Sequence, residues 1–398
     1  MLVKGRDIVI IGLQPWYYEI GSNCKNIALE FARHNRVLYV NTPINRKTYY
    51  SKEQNAGIRQ HCDIIRNHGE TLKPVQENLW QLYPGSIVES INWLPSTMIF
   101  KAINAINNKR FASDIQKAIE QLGFSDIILF NDNDFFNGYD LKQLLKPSAY
   151  LYYCRDYLRG FSYWKKHGDA LEPAMITKAD AALANSLYLR DYCAGFNPQS
   201  FYIGQGCNLD LFDVQKNYSK PVELEHISSP IIGYVGALTT ERLDIGIIEL
   251  IAKANTNWNV VLVGPEDEAF QKSVLHDLPN VHFTGRKPLE QLPAYVKSFD
   301  VCINPQLINE ITIGNYPLKV DEYLAMGKPV VATATKTMEL FAEHTYLAKV
   351  PEDYPALIEK AWKENNKDLI EKRIAFAHTH TWENCMKAIG QVIIDIRS

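Results

Sequence analysis

No two of the seven cysteines (Cys24, Cys62, Cys154, Cys193, Cys207, Cys302 and Cys385) form a Cys-x-x-Cys pair, and their number is odd. That pattern argues against a disulfide framework or a cysteine-based zinc site, and for a reducing, cytoplasmic setting. No stretch approaches the ~18 uninterrupted apolar residues of a membrane-spanning helix. The opening MLVKGRDIVIIGL carries only a short apolar run and no small-residue cleavage site, so it reads as a first strand, not a signal peptide. A large excess of one charge is missing too: the formal net charge is −3, with no basic stripe, which excludes nucleic acid as the partner. Short repeats and low-complexity tracts are also lacking.

What is present is ordinary globular material, with 46% hydrophobic and 22% charged residues. At 398 residues the chain is too long for one hydrophobic core, so two domains are expected. The small net charge hides an asymmetry. Residues 1–200 hold 23 Lys and Arg against 19 Asp and Glu, whereas residues 201–398 hold 19 against 26. Either the halves meet different partners or the imbalance is plain surface variation.

Both halves alternate apolar strands with helices. RDIVIIGL, RVLYVNT, DIILFND (126–132), SAYLYYCRD (148–156) and ADAALANS (179–186) read as strands apolar on both faces, as in a parallel sheet covered by helices. FYIGQGCNLDLF closes this first half at 212. Residues 213–229 turn polar and aperiodic and read as a linker. SPIIGYVGAL, WNVVLVGP, VHFTGR, DVCINP and PVVATA then restart the alternation, with helices between them. TWENCMKAIGQVIIDI is a final helix with no strand after it. The expectation is an α/β protein of two doubly wound domains: 1–212, a linker at 213–229, 230–375, and a terminal segment 376–398 packing back on the first domain.

Ligands of open α/β sheets bind beyond the carboxyl ends of the strands, against helix N-termini. In NYPLKVDEYLAMGKPVVAT (315–333), Pro317 suits the first helical position and Gly327 a left-handed cap. Lys319 is the anomaly, because the helix dipole disfavours a cation in the first turn. It is either a solvated surface lysine or one that holds a nucleotide diphosphate at the helix N-terminus. Glu322 lies one turn on, where it could accept from ribose hydroxyls or simply face water. Gly236-Ala237, Gly264-Pro265 and Gly285-Arg286 end other strands of this half, with Asn315, Tyr316 and Pro317 in the turn before the helix. Arg242 and Arg286 would add cations.

SPIIGYVGAL, NVVLVGP, VHFTGRKPLEQLPAYVKSFDVCINP and YPLKVDEYLAMGKPVVAT, in that order, resemble the C-terminal domain of family 4-like GT-B glycosyltransferases. Bacterial surface-polysaccharide transferases, the teichuronic acid type among them, are the group intended. QPWYYEIGSNCKNIALEFARHNRVLYVN, ADAALANSLYLRDY with IGQGCNLDLF, and TWENCMKAI resemble the rest of that architecture. The resemblance implies two Rossmann-like domains facing a cleft and a terminal helix returning to the first. It implies transfer of a sugar from a UDP- or GDP-sugar to an acceptor hydroxyl on a lipid-linked or surface glycan. Glu322 matches the second glutamate of the family's E-x7-E motif, which holds ribose, while the first would fall at Gly314. The family's Gly-Arg…Lys pair is replaced by GALTTERLD, leaving Arg242 and Lys319 for the phosphates. A sugar-nucleotide epimerase or hydrolase, or a non-catalytic binding member, shares the fold.

On the acceptor side Gly21, Ser22 and Asn23 precede the first helix and Asp156 ends a strand. Asp156 is the candidate base, or else a partner of Arg155 or Arg159; Asp132 and Glu172 are weaker candidates. NDND (131–134) has the Asp-x-Asp form with which GT-A transferases hold Mn²⁺ or Mg²⁺. The late phosphate-loop set favours a strand-end turn instead, so neither a metal nor another cofactor is expected. Helix 97–123, with Lys101, Lys109, Arg110 and Lys117, either packs on the sheet or touches the cytoplasmic face of the membrane, helped by Trp164, Lys165 and Lys166.

Overall fold

The structure, a computed structural model, describes residues 1–18 and 21–397; Glu19 and Ile20 of the QPWYYEIGSN loop lie outside it. The chain divides into two compact units, one of Met1–Gly204 with the segment from Trp382 onward, the other of Gln205–Thr381.

The first unit holds β1 (Asp7–Gly12), β2 (Arg36–Val40), β3 (Leu72–Gln76), β4 (Leu79–Leu82), β5 (Ile128–Asp132), β6 (Ala149–Cys154), β7 (Ala181–Ala184) and β8 (Ser200–Tyr202). They form one sheet in the order β3-β4-β2-β1-β5-β6-β7-β8. Every pairing is parallel except β3 with β4, a hairpin the sequence reading missed. Pro74 explains both the miss and the position: it cannot donate to a ladder, so its strand sits at the sheet edge. β1, β5 and β6 are buried throughout, which is why they read as continuous apolar runs. Helix Asn23–Ala32 and the last helix, Trp382–Asp395, cover one face, where Ile8, Ile10, Ile27, Phe31, Met386 and Ile389 share a core.

The second unit holds β9 (Ile231–Val235), β10 (Asn259–Val263), β11 (Val281–Gly285), β12 (Val301–Asn304), β13 (Val330–Thr333) and β14 (Tyr346–Ala348). Its sheet runs β11-β10-β9-β12-β13-β14, all parallel, with the strand order reversing between β9 and β12. The first sheet reverses likewise between β1 and β5. These switch points open crevices at the strands' carboxyl ends.

Two expected boundaries move. The first unit ends at Gly204 and not at 212, and residues 213–229 are not a free linker. Leu209, Phe212, Leu224 and Ile227 are buried in the core of the second unit, and their wide spacing among polar residues hid that burial. At the far end, helix Lys367–Ala377 packs on helix Leu318–Ala325, so the return to the first unit begins at Trp382 and not at 376. Among the described residues no helix is long and apolar enough to cross a membrane.

Candidate active site

β9 and β10 each end in a glycine with a backbone only glycine adopts easily, Gly236 at φ +145° and Gly264 at φ +156°. The two turns interlock. Gly236 N donates to Val263 O at 2.9 Å, and Leu238 N to Pro265 O at 2.8 Å. A Cβ on Gly264 would stand 1.9 Å from Gly236 O. Ala237 and Pro265 are left exposed on the rim.

Helix Leu318–Ala325 aims its first turn at this pair of turns. Lys319 Nζ hydrogen-bonds Tyr234 Oη and lies 4.3 Å from that ring's centroid. It would be 3.0 Å from a Cβ on Gly236. The anomalous lysine therefore rests against the glycine turn, held by an aromatic face. Pro317 is the N-cap, one position earlier than expected, and supplies no side-chain acceptor. Ser22, Asp244 and Asp267 do cap their helices. Leu318 N donates to Tyr316 O at 3.1 Å and Val320 N to Pro317 O at 2.8 Å, which leaves the Lys319 amide, among the described residues, for an outside acceptor. The helix stops as expected at Gly327, φ +70°, where Lys328 N reaches back to Tyr323 O at 3.0 Å.

Glu322 lies one turn on and is half-buried, and its carboxylate accepts no hydrogen bond among the described residues. Burial pushes its carboxyl up to about 7, with Lys319 opposing the shift and Asp321 reinforcing it. On the buried face of the same turn, Asp321 Oδ1 lies 2.7 Å from His380 Nδ1 and its Oδ2 accepts from Cys207 Sγ at 3.2 Å. Tyr316 Oη lies 3.2 Å from the same His380 nitrogen. Tyr316, a donor-side candidate of the sequence, gives its hydroxyl to this buried cluster.

Arg242 and Asn315 are brought together. With the Asn315 amide oriented to suit its neighbours, its oxygen accepts from Arg242 Nη1 at 2.8 Å. Leu307 N donates to Arg242 O at 2.9 Å, so the loops after β9 and β12 are stitched side by side at the switch point. Gly285 and Arg286 are exposed at the end of β11, two strands from β9, roughly 10 Å away across the sheet. The structure shows no contact joining them to Lys319. Lys287 is engaged by Glu223.

In the first unit, Gly21 stands in open space and Ser22 Oγ is taken as a cap by Lys25 N at 3.3 Å, with Asn23 beginning the helix. Asp132, an acceptor-side candidate, is fully buried and held by Arg155 Nε at 2.8 Å, so it orients the arginine and cannot meet a ligand. Asp156 is half-buried and paired with Arg155 Nη1 at 2.7 Å. Asn133 Oδ1 accepts from Arg155 N at 2.8 Å, and Asp134 Oδ1 from Asn137 N at 2.9 Å. The NDND run is thus a strand-end turn whose carboxylates are committed. Glu172 is buried, accepting from Tyr152 Oη at 3.0 Å and Tyr192 Oη at 2.9 Å, and burial raises it to about 7.

A groove of about 1000 Å³ opens at the carboxyl edge of the first sheet. Leu13 and Pro15 follow β1 there, Phe136 and Asn137 follow β5, and Trp93 and Tyr163 stand on its rim. The sequence reading missed this groove because its aromatic and amide residues come from loops far apart in the chain.

Two doubly wound units of this strand order, with the last helix belonging to the first, define the GT-B fold. Sucrose-phosphate synthase from Thermosynechococcus elongatus has a TM-score of 0.63 at 17% identity, with 98% of this chain and 99% of that one covered. Anabaena HepE in complex with UDP has a TM-score of 0.64 at 14% identity, covering 98% and 100%. Residues 229–363 match the model of the family described as Glycosyl transferases group 1. This chain is also 29% identical over 229 residues to TuaH of Bacillus subtilis (strain 168), provisionally described as a teichuronic acid biosynthesis glycosyltransferase. The matched stretch spans 54% of this chain and 56% of that protein.

Proposed function

We propose that this protein is a glycosyltransferase that moves a sugar from a UDP- or GDP-sugar to an acceptor hydroxyl on a lipid-linked or surface-polysaccharide glycan. The observation that carries the reading is the Lys319 ammonium resting on the Gly236 turn at a helix N-terminus with no side-chain cap. Phosphate oxygens accept from first-turn amides and from a lysine, and glycine turns let them come close. The Glu322 carboxylate, one turn further and without a hydrogen-bond partner among the described residues, suits ribose hydroxyls. HepE, of the same fold, is solved with UDP.

In this reading Lys319, the helix N-terminus and Arg242 stabilise the charge that develops on the leaving diphosphate. Asp132 and Asp134 are committed to Arg155 and to backbone amides, so the reading uses no metal ion. Asp156 is the carboxylate we assign to the acceptor proton, with Arg155 fixing its position. Seven buried cysteines without a disulfide suit the cytoplasm.

The test is calorimetry and thermal shift with UDP, GDP and ADP on the full chain. One nucleotide should raise the melting temperature, because a ligand of the native state stabilises it by mass action. Failure of all three to bind would overturn the reading.

A further inference from the structure

A helix packed on a sheet ordinarily turns its apolar residues inward and its amides outward. The first half of helix Thr97–Leu122 turns Phe100 inward in that way but buries amides beside it and leaves apolar side chains outside. Asn104, Asn107 and Asn108 are buried, and all three are engaged with backbone. Asn104 Nδ2 and Asn108 Nδ2 donate to Phe136 O at 2.8 and 3.0 Å, and Asn107 Nδ2 to Glu89 O at 3.1 Å. Facing away are Met98, Ala102 and Ile106, four residues apart and exposed, with Ile99 beside them. Met98 is 81% exposed and Ile99 51%.

Trp93, 72% exposed, and Tyr163, 59% exposed, extend the same patch. Asn92 Nδ2 donates to Tyr163 O at 2.9 Å, Lys166 Nζ to Trp93 O at 2.8 Å, and Thr97 Oγ1 lies 3.0 Å from His167 Nδ1. Loop, helix start and neighbouring helix are therefore one surface. Its charge has one sign: residues 90–113 contain Lys101, Lys109 and Arg110 but no Asp or Glu, and residues 157–168 contain Arg159, Lys165 and Lys166 but no Asp or Glu. Glu89, just outside, is neutralised by Arg46 and Arg110.

We infer that this face docks on an anionic lipid bilayer. An exposed apolar patch of this kind marks an interaction site. Tryptophan and tyrosine settle at the headgroup level, the aliphatic side chains enter the acyl boundary, and the lysines meet anionic headgroups. The acid-free flank selects that occupant over a neutral or acidic protein surface. Trp93 and Tyr163 also stand on the rim of the 1000 Å³ groove, so docking brings the groove mouth to the lipid. On the glycosyl-transfer reading, from which this last step follows, the acceptor is a saccharide anchored in that membrane.

Vesicle flotation tests the surface, using phosphatidylcholine vesicles with and without phosphatidylglycerol. The wild type is expected to float with the phosphatidylglycerol vesicles and weakly with the others. Met98→Ser/Ile99→Ser/Ile106→Ser should lower the partition ten-fold or more. Lys101→Gln/Lys109→Gln should lower it about five-fold per lysine. A urea-unfolding midpoint and near-UV circular dichroism close to wild type report that the first unit of both variants, which carries the changes, is folded. Wild-type protein that floats with neither vesicle overturns the inference, as does undiminished flotation of the triple variant. So does a dimer in light scattering that the triple variant dissociates, which would give the face to a second copy. Nucleotide binding decides the donor site separately, so either reading can fail alone.

Discussion

Lys319 and Gly236 fit one another: a methyl group on the glycine would lie 3.0 Å from the lysine ammonium. The lysine reaches the turn because nothing larger stands there. We predict that Lys319→Ala lowers the affinity for the preferred nucleoside diphosphate at least ten-fold, roughly the 1.4 kcal/mol of one charge-assisted phosphate contact. Its melting temperature without ligand should stay close to wild type, since the loss is one cation–π contact and one hydrogen bond to Tyr234 Oη, which keeps Ala237 O as an acceptor. Unchanged affinity by calorimetry would refute the assignment.

Gly264 is the less tolerant of the two turn glycines. Gly264→Ala places a Cβ 1.9 Å from a backbone oxygen at φ +156°, and neither atom can move without separating β9 from β10. A destabilisation of about 2–4 kcal/mol is expected, read as a shift of the urea midpoint. Gly21→Ala, in open space, should stay within about 0.5 kcal/mol of wild type.

Glu172 should give stability a pH dependence of definite sign. Its carboxyl is raised from 4.5 to about 7 in the folded state, so folding favours its protonated form. That contribution is complete below about 4.5 and disappears as the pH rises through about 7, to a total on the order of 2–3 kcal/mol. Glu322, shifted the same way, adds to the trend. Denaturation of wild type and Glu172→Gln between pH 4.5 and 8 should show a shallower decline for the variant. Parallel curves would place the slope elsewhere.

His380 holds a buried carboxyl at the base of the Lys319 turn. His380→Ala leaves Asp321 with the Cys207 thiol as its remaining side-chain partner among the described residues. We expect a loss of about 3 kcal/mol, the scale of breaking a buried pair. Asp321→Asn/His380→Gln, which keeps a neutral hydrogen bond, should recover part of it.

Asp156→Asn distinguishes a proton acceptor from a structural partner of Arg155. In the first case kcat falls a hundred-fold or more with donor affinity unchanged. If the melting temperature falls instead while kcat holds, the carboxylate only anchors Arg155.

Much of this was legible in the residues. The strands of both sheets stand out because parallel strands are buried on both faces, as β1 and β5 are. Pro317 and Gly327 bracket a helix in any context, and Lys319 is conspicuous through its conflict with the dipole. What stayed hidden depends on tertiary packing. Leu209, Phe212, Leu224 and Ile227 are too widely spaced to announce a core. Pro74 disguised an edge strand. Asp132 resembles an accessible strand-end carboxylate until Arg155 is seen covering it. The inward-facing asparagines at 104, 107 and 108 have no signature, because only Phe136 O and Glu89 O, distant in sequence, give them a reason to be inside.

The last helix, Trp382–Asp395, lays Met386 and Ile389 against Ile8, Ile10 and Phe31. During synthesis the first unit is therefore left with an open flank while all of residues 205–381 leave the ribosome. At about 5–20 residues per second that interval lasts on the order of 10–35 seconds. The contiguous second unit can finish folding before the first is sealed. Truncation after residue 381 would strip an apolar wall from the older half of the molecule, and chaperone dependence would be expected there first.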